Sequence, residues 1–98
     1  MEHAERYEEL ISDMWDELMG AKKYAEIALS SDDRSYSDSM YEMARQEYNH
    51  FASLHQHALN LANSWPEGDV MHKVWEHDQR RLMKHAAKVK RVIEMYRD

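Results

Sequence analysis

Residues that break helices are scarce in this chain, and that scarcity constrains its fold more than any other feature. The 98 residues include two glycines and one proline, and two of these three, Pro66 and Gly68, lie in one short segment. Glycine and proline are the residues that most often end helices and form turns. Because strong helix formers such as alanine, leucine, methionine, glutamate, lysine and arginine are common, the sequence predicts an all-α protein with few, long helices.

Apolar side chains recur every three or four residues along three stretches of the chain. This period predicts helices over about 4–29, 37–63 and 70–96, in a single domain that covers residues 1–98. Ser39 and Glu42 form a candidate capping box for the second helix, and Asp69 is a candidate cap for the third. Short loops between long helices favour antiparallel neighbours, so the fold class is an antiparallel three-helix chain.

Composition excludes several classes of partner. The net charge of −6 and the lack of a basic cluster argue against nucleic-acid binding. No apolar run approaches the roughly 18–20 residues of a membrane span, and no signal peptide opens the chain. We expect a cytoplasmic protein, or one enclosed in a protein particle. Without cysteine, a metal would be bound by Glu, Asp and His, which suits iron, manganese or zinc.

Five polar residues interrupt the apolar stripes. Glu17 lies in the first stripe, Glu47 and His50 lie one helical turn apart in the second, and Asp78 and His85 lie in the third. Counted from the middle of the first loop at position 33, Glu17 lies 16 residues before it, and Glu47 and His50 lie 14 and 17 after it. Since a helix rises by about 1.5 Å per residue, we expect these groups, and by the same count Asp78 and His85, to share one layer.

Carboxylates that converge in such a layer repel one another unless protons or a cation intervene, and a lone buried carboxylate costs several kcal/mol. Carboxylates and imidazole on facing helices of a bundle are the typical ligands of a di-metal centre. We therefore interpret Glu17, Glu47 and His50 as metal ligands. The alternative is a hydrogen-bonded polar cluster without a metal. Asp78 and His85 are weaker candidates, because an Asp78–Arg81 pair and a partly exposed His85 also explain them.

Glu17, Tyr24 and the Glu47-x-x-His50 motif together resemble the first half of the ferritin and rubrerythrin-type di-iron carboxylate proteins, over roughly residues 7–62. The resemblance implies that Glu17 is a terminal iron ligand, that Glu47 bridges two irons and that His50 binds one of them. It places Tyr24 beside the centre, as a candidate redox residue. The expected cofactor is therefore a pair of iron ions, with manganese or zinc as alternatives.

This chain departs from the family in its second half, because no second Glu-x-x-His motif follows. A homodimer in which each chain contributes two helices would restore the four-helix bundle, as in the short encapsulated ferritins that the chain resembles. Alternatively, Asp78 and His85 complete a site within one chain.

The functional hypotheses follow from these alternatives. The resemblance implies a ferritin-like protein that binds Fe(II) and oxidises it with O2 or peroxide. The second hypothesis is a metal-free ferritin-like structural protein, such as a coat or virion component. The third hypothesis is a purely structural zinc or manganese site.

Overall fold

Three α-helices account for nearly all of the chain. In the structure, a computed structural model that describes residues 2–97, α1 spans Glu2–Ser30, α2 spans Arg34–Asn63 and α3 spans Val70–Met95. The described residues contain no β-strand. The prediction of an all-α chain with three helices is confirmed, and the predicted ends agree with the observed ones to within three residues.

Aspartate residues begin the second and third helices. Asp69 caps α3, as predicted, since its Oδ1 accepts a hydrogen bond from the Met71 amide at 2.9 Å. The predicted Ser39–Glu42 box is wrong: α2 begins earlier, with Asp33 Oδ1 accepting from the Tyr36 amide at 3.1 Å. Because Asp33 already satisfies an otherwise unpaired amide of the first turn, the helix begins there.

The Asp33 cap provides a test of how this helix end is stabilised. We expect Asp33→Ala to lower the free energy of unfolding by about 1 kcal/mol, since the Tyr36 amide loses its acceptor. Urea denaturation measures the change. Asp32→Ala, at the exposed neighbouring position, is the matched control and should have little effect. Equal losses for the two variants would contradict the assignment of Asp33 as the cap.

α1 and α2 form an antiparallel hairpin, and α3 packs against one side of it, mainly on α1. The largest fully buried side chains are Met14, Leu18, Leu82 and Val89, from α1 and α3. Tyr7 of α1 packs edge-on against Trp75 of α3, with ring centroids 6.3 Å apart. The bundle is elongated, with extents of 52 × 21 × 14 Å. One long side of the hairpin therefore faces away from α3.

Within residues 2–97, no helix combines the length and the hydropathy that a membrane span requires.

Candidate metal centre

The structure brings Glu17, Glu47 and His50 together. One ligand atom from each side chain lies within 4.8 Å of the ligand atoms of the other two. Glu17 Oε2 is 3.6 Å from His50 Nδ1. Glu47 and His50 project from the same face of α2 because they are three residues apart, and the antiparallel hairpin brings Glu17 of α1 to the same height. The predicted convergence of these three residues is confirmed.

The cluster lies on the side of the hairpin that faces away from α3. Trp15 packs on α3, and Glu17, two residues later, points about 200° away from it around the α1 axis. Tyr41 likewise packs on α3, and His50, nine residues later, points about 180° away. The three polar groups therefore form a site at an open edge of the hairpin, not the enclosed layer that we expected from the apolar stripes.

Exposure differs among the three side chains. The Glu17 side chain is 25% exposed, whereas that of His50 is 65% exposed, and Glu47 is half-buried. Glu17 Oε2 is fully buried and has no hydrogen-bond partner, because the His50 nitrogen at 3.6 Å is too distant for a hydrogen bond. A carboxylate oxygen in that position needs either a proton or a cation.

Burial is the main reason why the Glu17 carboxyl group holds a proton unusually firmly. Together with a proton that the two carboxyl groups can share and the repulsion from the Glu47 carboxylate, burial raises the pKa of Glu17 from 4.5 to about 7. His50 acts in the opposite direction and lowers this pKa. At neutral pH the two adjacent carboxyl groups therefore have affinity for a proton or for a cation.

These donors fit a transition metal. Two carboxylates and one imidazole are ligands of Fe(II), Mn(II) and Zn(II). Bonds of about 2.0–2.2 Å to one ion place its ligand atoms at most about 4.4 Å apart, so the observed separations need only small side-chain rotations. A bound cation would satisfy the orphaned oxygen of Glu17 and displace its proton.

Asp78 is not part of this cluster. Its Oδ2 accepts a short hydrogen bond, 2.6 Å long, from the hydroxyl of Tyr7. Burial and this carboxylate together raise the pKa of Tyr7 above its ordinary range. The alternative Asp78–Arg81 pair is not what the contacts show, since Arg81 lies over the Trp15 ring at 5.8 Å.

His85 also lies away from the cluster. Its ring stacks on Trp15 with centroids 5.5 Å apart. Burial lowers the pKa of His85, and Lys22 and Lys88 lower it further. The positive charges of these two lysines beside His85 would also repel a metal cation. The expectation that all five polar residues share one site is wrong for Asp78 and His85, because α3 packs on the other side of the hairpin.

Tyr24 lies on the same face of α1 as Glu17, two helical turns later, and is half-buried against the core. Helical side chains tilt toward the N-terminus of the helix, and Glu17 lies in that direction from Tyr24. Its role as a redox residue stays a prediction.

Gly20 is a residue of the site that the sequence analysis did not identify. A β-carbon at this position would lie 3.4 Å from Glu47 Oε2 and 3.5 Å from its carboxyl carbon. The glycine thus leaves room for the Glu47 carboxylate against the backbone of α1. The signal was present in the sequence, since a glycine inside an otherwise helical pattern is costly and often has a packing or functional reason.

Gly20→Ala tests how closely Glu47 approaches α1. Alanine is favoured over glycine in a helix interior by about 0.5–1 kcal/mol, and a methyl group at 3.4 Å makes an ordinary contact with Glu47. We therefore expect the free energy of unfolding to rise by about that amount in urea denaturation. Metal uptake should persist in Gly20→Ala and decrease in Gly20→Leu, whose longer side chain displaces Glu47. A loss of stability in Gly20→Ala would contradict this geometry.

Comparison with known proteins gives no relative: no family model, no curated protein and no solved structure matches the chain.

Proposed function

We propose that this chain is a ferritin-like metal-binding protein in which Glu17, Glu47 and His50 bind a transition metal. The observation that carries the proposal is the buried, unpartnered oxygen of Glu17, within ligand range of a second carboxylate and an imidazole. Burial of that oxygen is costly unless a proton or a cation is bound. The preferred ion is iron, on the basis of the resemblance to di-iron carboxylate proteins.

A second copy of the chain would complete the centre. Three donors from one chain leave coordination positions open, and the site lies on a hairpin edge that α3 does not cover. Half-buried apolar side chains of α1 and α2 flank this edge, namely Leu10, Tyr24, Leu54 and Leu61. Two hairpins related by a two-fold axis would form a four-helix bundle with two copies of each ligand, enough for two ions.

Two Fe(II) ions held in this way would each give up one electron to become Fe(III), which together match the two-electron reduction of O2 or peroxide. The residues of the chain would bind and orient the ions: Glu17 as a terminal ligand, Glu47 as the bridge between them and His50 as the nitrogen donor. Tyr24, on the same face of α1, would be the candidate redox-active side chain. The enzymatic activity that we propose is therefore a ferroxidase activity.

Anaerobic titration with Fe(II), coupled to measurement of the mass in solution, tests the proposal. We expect about one iron per chain, as two ions shared by two copies require. In about 500 mM salt, which screens contacts between exposed charges, the mass should double on binding, from the 11.8 kDa of one chain. Parallel titrations with Mn(II) and Zn(II) identify the preferred ion. No uptake of any of the three would overturn the metal site, and a metal-loaded monomer would overturn the dimer.

A metal-free structural role is the second candidate, and the raised pKa of Glu17 favours it. A carboxyl group with a pKa of about 7 can hold a proton at neutral pH, so the cluster is tolerable without an ion. In this case the chain would be a helical assembly module. Glu47→Leu should then keep or raise stability and leave the mass in solution unchanged, with no metal bound by the wild type.

A further inference from the structure

The outward face of α1 carries a row of acidic side chains. Four of them are exposed and are spaced by four, four and three residues, namely Glu5, Glu9, Asp13 and Asp16. At about 100° per residue they fall within an arc of roughly 80° on the side of α1 away from the core. They extend over about 16 Å along the helix. We call these four residues the acidic stripe.

The outward face of α3 carries a matching row of basic side chains. Four exposed residues repeat the same spacing of four, four and three, namely Arg80, Lys84, Lys88 and Arg91. They too occupy an arc of roughly 80° and a length of about 16 Å, about half a turn from the buried Leu82, Ala86 and Val89. We call these residues the basic stripe. The linear sequence shows no basic cluster, because these cations are dispersed along the chain and align only on the helix surface.

The two stripes do not neutralise each other within one chain. Ion pairs among the described residues include Arg34 with Asp38 and Arg45 with Glu42, and His50 lies 3.6 Å from Glu17. Among the side chains that the structure describes, none of the eight stripe residues is in an ion pair, since both stripes face away from the core. Their charges are therefore available to a partner.

We propose that the acidic stripe of one copy of this chain docks on the basic stripe of a second copy. Charge complementarity and identical spacing support this inference, because four negative charges in one row would face four positive charges over the same length. The contact is head-to-tail, because each copy presents one stripe of each sign on different helices, and such contacts build rings or open chains. Its test can be separated from the metal centre, because Glu5 and Glu9 lie two or more helical turns before Glu17, whereas Asp13 and Asp16 border the centre.

Ionic strength and charge reversal test the contact. Exposed ion pairs are individually weak, so the association is weak and is screened by salt. With a chelator present to exclude metal-driven dimers, sedimentation velocity should show self-association that is strong at about 20 mM salt and lost at about 500 mM, where the Debye length falls from about 20 Å to about 4 Å. A wild type that stays monomeric at the lower ionic strength would overturn the proposal.

Two charge-reversed variants sharpen the test. Lys84→Glu/Lys88→Glu and Glu5→Lys/Glu9→Lys should each self-associate at least about tenfold more weakly than the wild type, because like charges then face each other. An equimolar mixture of the two variants should associate again, since each restores the complement of the other. This rescue also shows that both variants are folded.

Lys90→Glu/Arg97→Glu is the matched control. It changes the net charge by the same amount as Lys84→Glu/Lys88→Glu but lies off the basic stripe, and it should associate like the wild type. Equal weakening in this control, or no rescue in the mixture, would overturn the proposal. Binding of heparin through Lys84 and Lys88 by a wild type that remains monomeric would instead assign the basic stripe to a polyanionic partner.

Discussion

Glutamine in place of Glu47 is expected to abolish metal-dependent stabilisation. A ligand that binds only the folded state at 100 times its dissociation constant raises the free energy of unfolding by about 2.7 kcal/mol. Glu47→Gln removes one of two carboxylates from a three-donor site, and an amide is a poor ligand for Fe(II), Mn(II) or Zn(II). The gain in unfolding free energy on adding metal should therefore disappear. Denaturation with and without metal measures it.

Glu42→Gln is the matched control for this experiment. Glu42 lies on the same helix, is exposed and contacts Arg45 at 3.4 Å, a surface pair of small energetic value. Its replacement should leave the metal-dependent gain intact. Without metal, Glu47→Gln should be at least as stable as the wild type, since it removes the repulsion between two carboxylates. A metal-dependent gain that survives in Glu47→Gln would exclude Glu47 as a ligand.

The stability of the metal-free protein should fall as the pH rises from about 4.5 to about 7, and should then level off. Between these values the folded state holds a proton on Glu17, with its pKa of about 7, whereas the unfolded chain, with a pKa of 4.5, has released it. Stability falls with pH wherever the folded state binds more protons. The full shift corresponds to at most about 3 kcal/mol, and partial exposure of the side chain reduces the expected loss to about 1–2 kcal/mol.

Glu17→Gln should remove this pH dependence, whereas Glu26→Gln, at an exposed position of the same helix, should keep it. Denaturation in urea at a series of pH values measures both. Added metal should reverse the trend of the wild type, because the ion and the proton compete for the same carboxylate and the ion prevails as the pH rises. If the wild type and Glu17→Gln gave the same pH profile without metal, the inferred protonation of Glu17 would be wrong.

The candidate site shows which parts of such a structure are predictable from sequence. The meeting of Glu17 with Glu47 and His50 was predictable, because a short loop and a constant rise per residue determine height along a hairpin. The exclusion of Asp78 and His85 was not. It depends on the side of the hairpin on which α3 packs. Counting residues from a loop gives the height of a residue along the hairpin, but not the direction in which the third helix lies around it.

Smaller features follow the same division. The three helices and the Asp69 cap follow from local rules, since periodicity and capping chemistry act within a few residues. The Asp33 cap is equally local, but several nearby Ser and Asp residues compete for that role. The place of Gly20 opposite Glu47 depends on how α1 and α2 approach each other, which only the packed hairpin determines.

The sequence by itself determined that this chain forms three long helices and that its second helix carries Glu47 and His50 on one face. It did so because backbone hydrogen bonding and side-chain period are local properties. Only the tertiary structure decided that the place where these residues meet Glu17 is an open edge of the hairpin, and that one carboxylate oxygen there is buried and unpartnered. Burial and electrostatic coupling arise from residues far apart in the chain, so they exist only after the helices have packed.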